Sequence, residues 1–262
     1  VPAPTRPIRL GVQVQPQHAL YPKIRDTVIE LEDLGVDILF NWDHFFPLYG
    51  GDREGLHYEA WTMMGSWAEL TSRVEFGTLV SCNSYRNPDL QADMARTIDH
   101  MSGGRFIFGT GSGWFEKDYD EYGYEFGTAG QRLDALAEAM PRIEQRWARL
   151  NPPPLRKIPV MVGGGGERKT MKIAAKHADI WHSFTPAADL TRKLGILADH
   201  CATVGRNIDE IEISNEPRTK NLAIADELRE LGVTMFTMGI SGPDYDLATV
   251  KEWLAWRDAQ NA

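Results

Sequence analysis

The chain repeats one theme along its length: a short apolar run, a turn, a segment with apolar residues at helical spacing, and a stop. This alternation constrains the fold more than any other feature, because consecutive parallel strands require a crossover, usually a helix, between them. The clearest copy is Val74–Trp114, VEFGTLVSCNSYRNPDLQADMARTIDHMSGGRFIFGTGSGW. Val74–Cys82 is rich in β-branched residues and reads as a buried strand. Asn83–Pro88 supplies turn chemistry; Pro88 holds Asn87 out of the helical region and suits a first helical position itself. Leu90, Met94, Ile98 and Met101 then share one helical face, and Gly103-Gly104 ends the helix as a left-handed cap does. Arg105–Gly109 is the next strand, running into Gly109-Thr110-Gly111-Ser112-Gly113-Trp114.

The same reading places strands at Ile8–Val14, Val36–Trp42, Ile158–Val162, Asp179–Phe184, Glu210–Asn215 and Thr234–Gly239. Helices fall at Tyr21–Leu34, Tyr58–Leu70, Arg132–Leu150, Glu167–Lys176, Leu190–Val204, Ala223–Leu231 and Leu247–Arg257. The acidic, aromatic stretch Glu116–Phe126 reads as a loop over the sheet's C-terminal edge, where ligands of parallel α/β folds sit. The units predict an α/β parallel sheet, either a closed (β/α)8 TIM barrel or an open doubly wound sheet. No linker, low-complexity segment or short-period repeat interrupts residues 1–262, so a single domain is expected.

Composition excludes several functions. A net charge of −9 with no basic stripe argues against nucleic acid as a partner. No apolar run approaches the roughly 20 residues a membrane helix needs, and no charged-then-apolar leader opens the chain, so a cytoplasmic protein is expected. Cys82 and Cys201 lack metal or redox spacing. His18, His57, His100, His177, His182 and His200 show no ligand pattern such as HxxxH, so no metal site is predicted.

Several residues carry possible chemistry. Asp43-His44 closes the second strand; a titratable pair there reads as functional, against the alternative of an aspartate capping its own loop. His44 suits proton handling or carbonyl polarisation near neutral pH. Gly111-Ser112-Gly113 and Gly163-Gly164-Gly165 follow neighbouring strands. Glycine permits close backbone approach to an anion, and Ser112 adds a hydroxyl donor. Either loop alone is equally explained by a tight strand-to-helix turn; the pair favours binding of a phosphate-bearing cofactor. Neither has Rossmann spacing. Asn83 offers an amide to a heterocycle's edge. Gln13 and Gln15 share one strand face and form either a polar floor or a solvated strand end. Trp42, Trp61, Trp67 and Trp114 fit a core as readily as a cofactor stack.

GTLVSCNSYRNP, then a helix, SGGRFIFGTGSGW and YG, resembles the central block of the luciferase-like monooxygenase superfamily, within it the coenzyme F420-dependent oxidoreductase branch. WDHFFP, EAWTMMGSWAELTSRVEFGT, PVMVGGGGERKTMKIAAKHAD and HCATVGRNIDEIEIS extend the resemblance in order. It implies the barrel rather than the open sheet, and a cofactor-dependent oxidoreductase that transfers a hydride between a deazaflavin and a small organic substrate at the barrel mouth. It places Asp43 and His44 against the deazaflavin ring, and a non-prolyl cis peptide at Leu79-Val80 behind it. FMN with monooxygenase chemistry is the nearest alternative, and a non-catalytic flavin- or deazaflavin-binding protein a further one. Relatives are commonly homodimers, and the apolar helix Tyr58–Leu70 is a candidate interface. Two segments, near residues 148–157 and 215–222, are shorter than the family's pattern; such loops commonly shape the substrate pocket. Phe45–Leu56 and Glu116–Phe126 are the expected lids.

Overall fold

The computed structural model describes residues 6–262. Its strands are β1 (Arg9–Val14), β2 (Ile38–Asn41), β3 (Glu75–Thr78), β4 (Ser81–Cys82), β5 (Phe106–Gly111), β6 (Val160–Gly163), β7 (Ile180–Ser183), β8 (Glu212–Asn215) and β9 (Met235–Ile240). All pair in parallel, in the order β3-β2-β1-β9-β8-β7-β6-β5-β4, and β3 also pairs with β5, so the sheet closes on itself. The fold is therefore the closed barrel and not the open sheet.

The strand expected over Val74–Cys82 is divided. Phe76 and Gly77 lie opposite Phe106 and Ile107, whereas Ser81 and Cys82 lie opposite Thr110 and Gly111. Between them the chain leaves the ladder at Leu79-Val80, whose peptide bond is cis. Counted as one interrupted stave, β3 and β4 make an eight-staved barrel.

The helices are α1 (Tyr21–Asp33), α2 (Ala60–Leu70), α3 (Pro88–Met101), α4 (Glu116–Tyr122), α5 (Ala129–Trp147), α6 (Thr170–His177), α7 (Ala187–Thr203), α8 (Leu222–Glu230) and α9 (Ala248–Asn261). Local chemistry sets α3: the Asn87 side chain accepts from the amides of Asp89 and Leu90, and Gly103 and Gly104 take positive φ after its end. The Glu116–Phe126 stretch is not simply a loop. Its first part is α4, closed by Gly123 in the left-handed conformation. Trp61, Met63, Met64 and Trp67 of α2 are buried within the chain, while Thr62 and Glu69 face solvent. These apolar side chains belong to the chain's own core.

Inward residues fill the barrel in layers, as the two-residue strand period dictates. At the N-terminal end the Arg9 guanidinium lies between Glu75, at 2.6 Å, and Glu212, at 3.1 Å, and Arg156 reaches Glu75 at 2.8 Å. Above them Ile38, Phe40, Leu79, Ile107, Met161, Ile180 and Met235 form an apolar plug. A larger apolar core lies between strands and helices, with Trp67, Trp181 and Trp253 fully buried. The two short segments lie at opposite ends. Residues 148–157 join a helix to the start of β6, and there the Leu155 amide donates to Asp99 at 2.8 Å. That segment is remote from the mouth and does not shape the pocket. Residues 215–222 leave the C-terminal end of β8, at the mouth.

Candidate active site

Above the apolar plug, the C-terminal ends of the strands enclose a cavity of about 380 Å³. Its first wall is the Leu79-Val80 bulge. The Gln13 amide donates to the Leu79 carbonyl at 2.6 Å, so this glutamine points inward and holds the bulge. A Cβ on Gly111 would lie 2.8 Å from the Val80 side chain, and one on Gly163 would lie 2.9 Å from it. These glycines are thus needed by packing: only without side chains do β5 and β6 let Val80 fill the wall.

The second wall carries His44. Its Nδ1 lies 2.7 Å from Asp118 Oδ2 on α4. Asp118 is fully buried and also accepts from the Tyr85 hydroxyl at 3.0 Å and the Phe45 amide at 3.1 Å. A carboxylate surrounded by donors acts as the acceptor, so Nδ1 carries the proton, and in the neutral ring the lone pair falls on Nε2. Edge contacts from Trp42, Trp114 and Phe115, with centroids 5.5–5.8 Å away, fix the ring's tilt. The two expected lids hold each other across this wall. Phe45 stacks on Tyr122 at 4.0 Å, and the Lys117 ammonium sits 4.3 Å from the Phe46 ring centre.

Asp43 borders the cavity but is anchored elsewhere. Arg86 grips it with both nitrogens, at 2.6 and 3.0 Å, and the Cys82 amide donates at 3.1 Å. Arg86 also reaches Glu59 at 2.7 Å, whose carboxylate caps α2. Burial pushes the Asp43 carboxyl above the usual aspartate range, against the pull of Arg86. The aspartate therefore ties β4 to the start of α2 rather than capping its own loop.

The third wall comes from β7 and β8. His182 is buried, with Nδ1 at 2.9 Å from the Ser214 hydroxyl and Nε2 without a partner among the described residues. Burial lowers its pKa to about 3, which keeps the imidazole neutral. Glu216 accepts from the Gly239 amide at 3.3 Å, and burial raises its carboxyl above the ordinary glutamate value. Gln15 completes this wall.

Of the candidate residues, Asp43, His44, Leu79, Val80, Gly111, Ser112, Gly113, Gly163 and Gly164 meet at this one cavity, and Trp114 stands at its rim. Asn83 and Gly165 do not line it. Asn83 opens the 3-10 turn Asn83–Tyr85, and the Gly165 carbonyl accepts from Lys193 at 2.6 Å. Asp118, His182 and Glu216 were not singled out by the sequence reading. The two-residue period from Ser214 to Glu216 was the available signal for one of them. Among the described residues no His, Cys, Asp or Glu group is arranged to hold a metal ion, and no helix is long and apolar enough to cross a membrane.

A closed parallel barrel with its cavity at the strand C-termini defines the fold class. The luciferase-like monooxygenase family model matches residues 7–218, and the chain belongs to that family. The uncharacterized protein Rv0953c of Mycobacterium tuberculosis is 27% identical over 205 residues, 72% of each chain. An F420-dependent glucose-6-phosphate dehydrogenase of Microbacterium testaceum is 24% identical over 79% of this chain and 67% of its own. A pyrimidine monooxygenase, RutA, of an Enterobacter species is 26% identical over 84% of this chain and 61% of its own. A solved F420-dependent secondary alcohol dehydrogenase, in complex with an F420-acetone adduct, has a TM-score of 0.82 at 17% identity, over 94% of this chain and 98% of its own. The long-chain alkane monooxygenase LadA scores 0.65 at 15% identity, over 87% of this chain and 68% of its own. At these identities the structural likeness concerns the fold.

Proposed function

We propose that this protein is a coenzyme F420-dependent oxidoreductase that binds the deazaflavin in the mouth cavity and uses it on a small organic substrate. The observation that carries the reading is the wall made by Val80 between side-chain-free Gly111 and Gly163, in the same cavity as a histidine whose Nδ1 is locked by Asp118. The donor set fits the group. An apolar wall suits a flat ring, and Ser112, Gly113 and Gly164 bring hydroxyl and backbone groups to the rim for a phosphate-bearing tail. The names of the F420-dependent relatives support the same cofactor.

When bound, a deazaflavin supplies a ring carbon that accepts or gives a hydride. The chain's own part is proton handling and orientation. His44 Nε2 takes the proton of a substrate hydroxyl as an alcohol becomes a carbonyl, and returns it in the opposite direction. Asp118 keeps the tautomer and the ring orientation fixed meanwhile. General acid–base help of this kind contributes about 10²–10⁴-fold. Asp43 and Arg86 hold β4 in place, and Phe45, Tyr122 and Trp114 shield the mouth from water.

FMN is the second reading, favoured by the solved oxygenating component of 3,6-diketocamphane monooxygenase in complex with FMN, which has a TM-score of 0.61 at 14% identity. Fluorescence titration of the protein with F420 and, separately, FMN decides between them. Tighter binding of F420 is the expected result; preference for FMN moves the function to oxygen-using flavin chemistry. Failure of both to bind at micromolar concentration defeats the oxidoreductase reading and leaves a protein that kept the barrel without the cofactor.

A further inference from the structure

The third wall of the cavity is unusual in what it contains and in what it lacks. His182 presents a buried, unpartnered Nε2, and its ring meets Phe184 edge-on at 5.3 Å. Glu216, two residues beyond the Ser214 that supports His182, turns to the same side of β8. Gln15 stands beside Gly239, whose amide bonds Glu216, and Phe184 gives this end an apolar rim. Among the described residues no lysine or arginine lines the cavity. Arg86 is committed to Asp43 and Glu59. Lys220, whose field reaches Glu216, donates to the Gly239 carbonyl at 2.9 Å and does not line the cavity.

An oxygen-bearing ligand gains from such a wall, since the buried His182 Nε2 acquires the partner it lacks and Glu216, held only by long bonds from the Gly239 amide at 3.3 Å and the Thr237 hydroxyl at 3.4 Å, has lone pairs left to engage a hydroxyl. A phosphate monoester loses there: its dianion would give up water and meet a carboxyl and a neutral imidazole, with no cation in return. We propose that His182 and Glu216 are the recognition end of this cavity, for a small uncharged molecule with a hydroxyl or carbonyl oxygen on an apolar body, and that the site rejects phosphate monoesters. For its chemistry this rests on the oxidoreductase reading; for binding it does not.

The test is calorimetric titration of the full chain, with and without F420, using benzyl alcohol, benzaldehyde, cyclohexanone and benzyl phosphate. At least one uncharged probe is expected to bind about tenfold or more tightly than benzyl phosphate, a difference near 1.4 kcal/mol. Glu216→Gln, which keeps size, and His182→Gln each weaken that probe by roughly three- to tenfold, with F420 affinity unchanged within about twofold. A thermal melt confirms that each variant is folded, and Gln15→Ala provides a third variant on the same wall. The proposal is overturned if benzyl phosphate binds as well as the best uncharged probe, or if all three uncharged probes fail to bind. It is equally overturned if the folded variants leave probe binding intact, or if their effect falls on F420 instead. Should F420 fail to bind the unaltered protein, the cofactor reading falls, and the titrations without F420 still decide this one.

Discussion

The two ends of the barrel use inward-facing polar side chains in opposite ways. At the N-terminal end Arg9, Glu75, Glu212 and Arg156 pair with one another, so charge is met by charge inside the protein. At the C-terminal end His44, His182 and Glu216 are each held from behind, by Asp118, Ser214 and the Gly239 amide, and face a cavity. The same strands and the same inward register produce both ends. What differs is whether the polar groups find their partners within the chain. A closed set contributes stability and a single register, whereas a set held from one side leaves capacity for a ligand. Substitutions at the two ends should therefore separate stability from chemistry.

The sharpest test of that separation is His44→Ala. Turnover of the F420-loaded protein, with whichever alcohol or carbonyl it uses, is expected to fall by about 10²–10⁴-fold. The melting temperature should fall by about 2–4 °C, for about 1 kcal/mol, because buried Asp118 loses one donor while the Tyr85 hydroxyl and the Phe45 amide remain. Steady-state kinetics and a thermal melt read the two quantities. A stable variant that keeps full turnover would remove His44 from the chemistry. Asp118→Asn should have a smaller effect of the same kind, roughly ten- to a hundredfold, because the amide no longer enforces the Nδ1–H tautomer. Unchanged kinetics there would mean that Asp118 serves only to fasten α4.

Arg9→Met probes the other end. It leaves Glu212 and Glu75 facing each other with Arg156 as the remaining cation, and should cost about 2 kcal/mol, below the range for fully buried pairs because these groups are partly exposed. For a chain of this length that is a drop of roughly 4–8 °C in melting temperature. F420 affinity should not change. An altered cofactor affinity would show that the apolar plug transmits the loss upward, and the two ends would no longer be independent.

The same contrast explains what was legible in the sequence. The staves were, because buried parallel strands are continuous apolar runs and each is punctuated by its own turn and cap. Asp43-His44 was, because a titratable pair at a strand end is a local signal. Asp118 was not: it reads as one acid in an acidic stretch until α4 folds back over the mouth and brings it to His44. His182 and Glu216 were hidden for a related reason, since the inward register of β7 and β8 follows from barrel closure and not from composition. The bulge at Leu79-Val80 looked like ordinary strand, and family resemblance alone pointed to it. Asn83 offers an amide and Gly165 belongs to a glycine run, but Asn83 opens a 3-10 turn and neither lines the cavity.

Acid sensitivity offers the smallest and most specific test. His182 is neutral in the folded protein, with a pKa lowered by burial to about 3, whereas the unfolded chain takes up a proton near 6.5. Between those values the unfolded state binds more protons, so this residue favours unfolding increasingly as pH falls below about 6.5. His57, lowered to about 4 by burial and accepting from the Trp42 indole at 3.1 Å, acts in the same direction. Asp43, Asp99 and Glu216, raised by burial, act oppositely, so the wild-type curve alone does not isolate the histidine. The difference between wild type and His182→Gln does. The variant should lose less stability than the wild type between pH 7 and pH 5, by about 1–2 kcal/mol in denaturant unfolding. Parallel curves would mean that His182 gains its proton inside the cavity without unfolding the barrel. The mouth would then already hold a site for the imidazolium, and the contrast with the ion-paired end would narrow to a difference in which groups carry the charge.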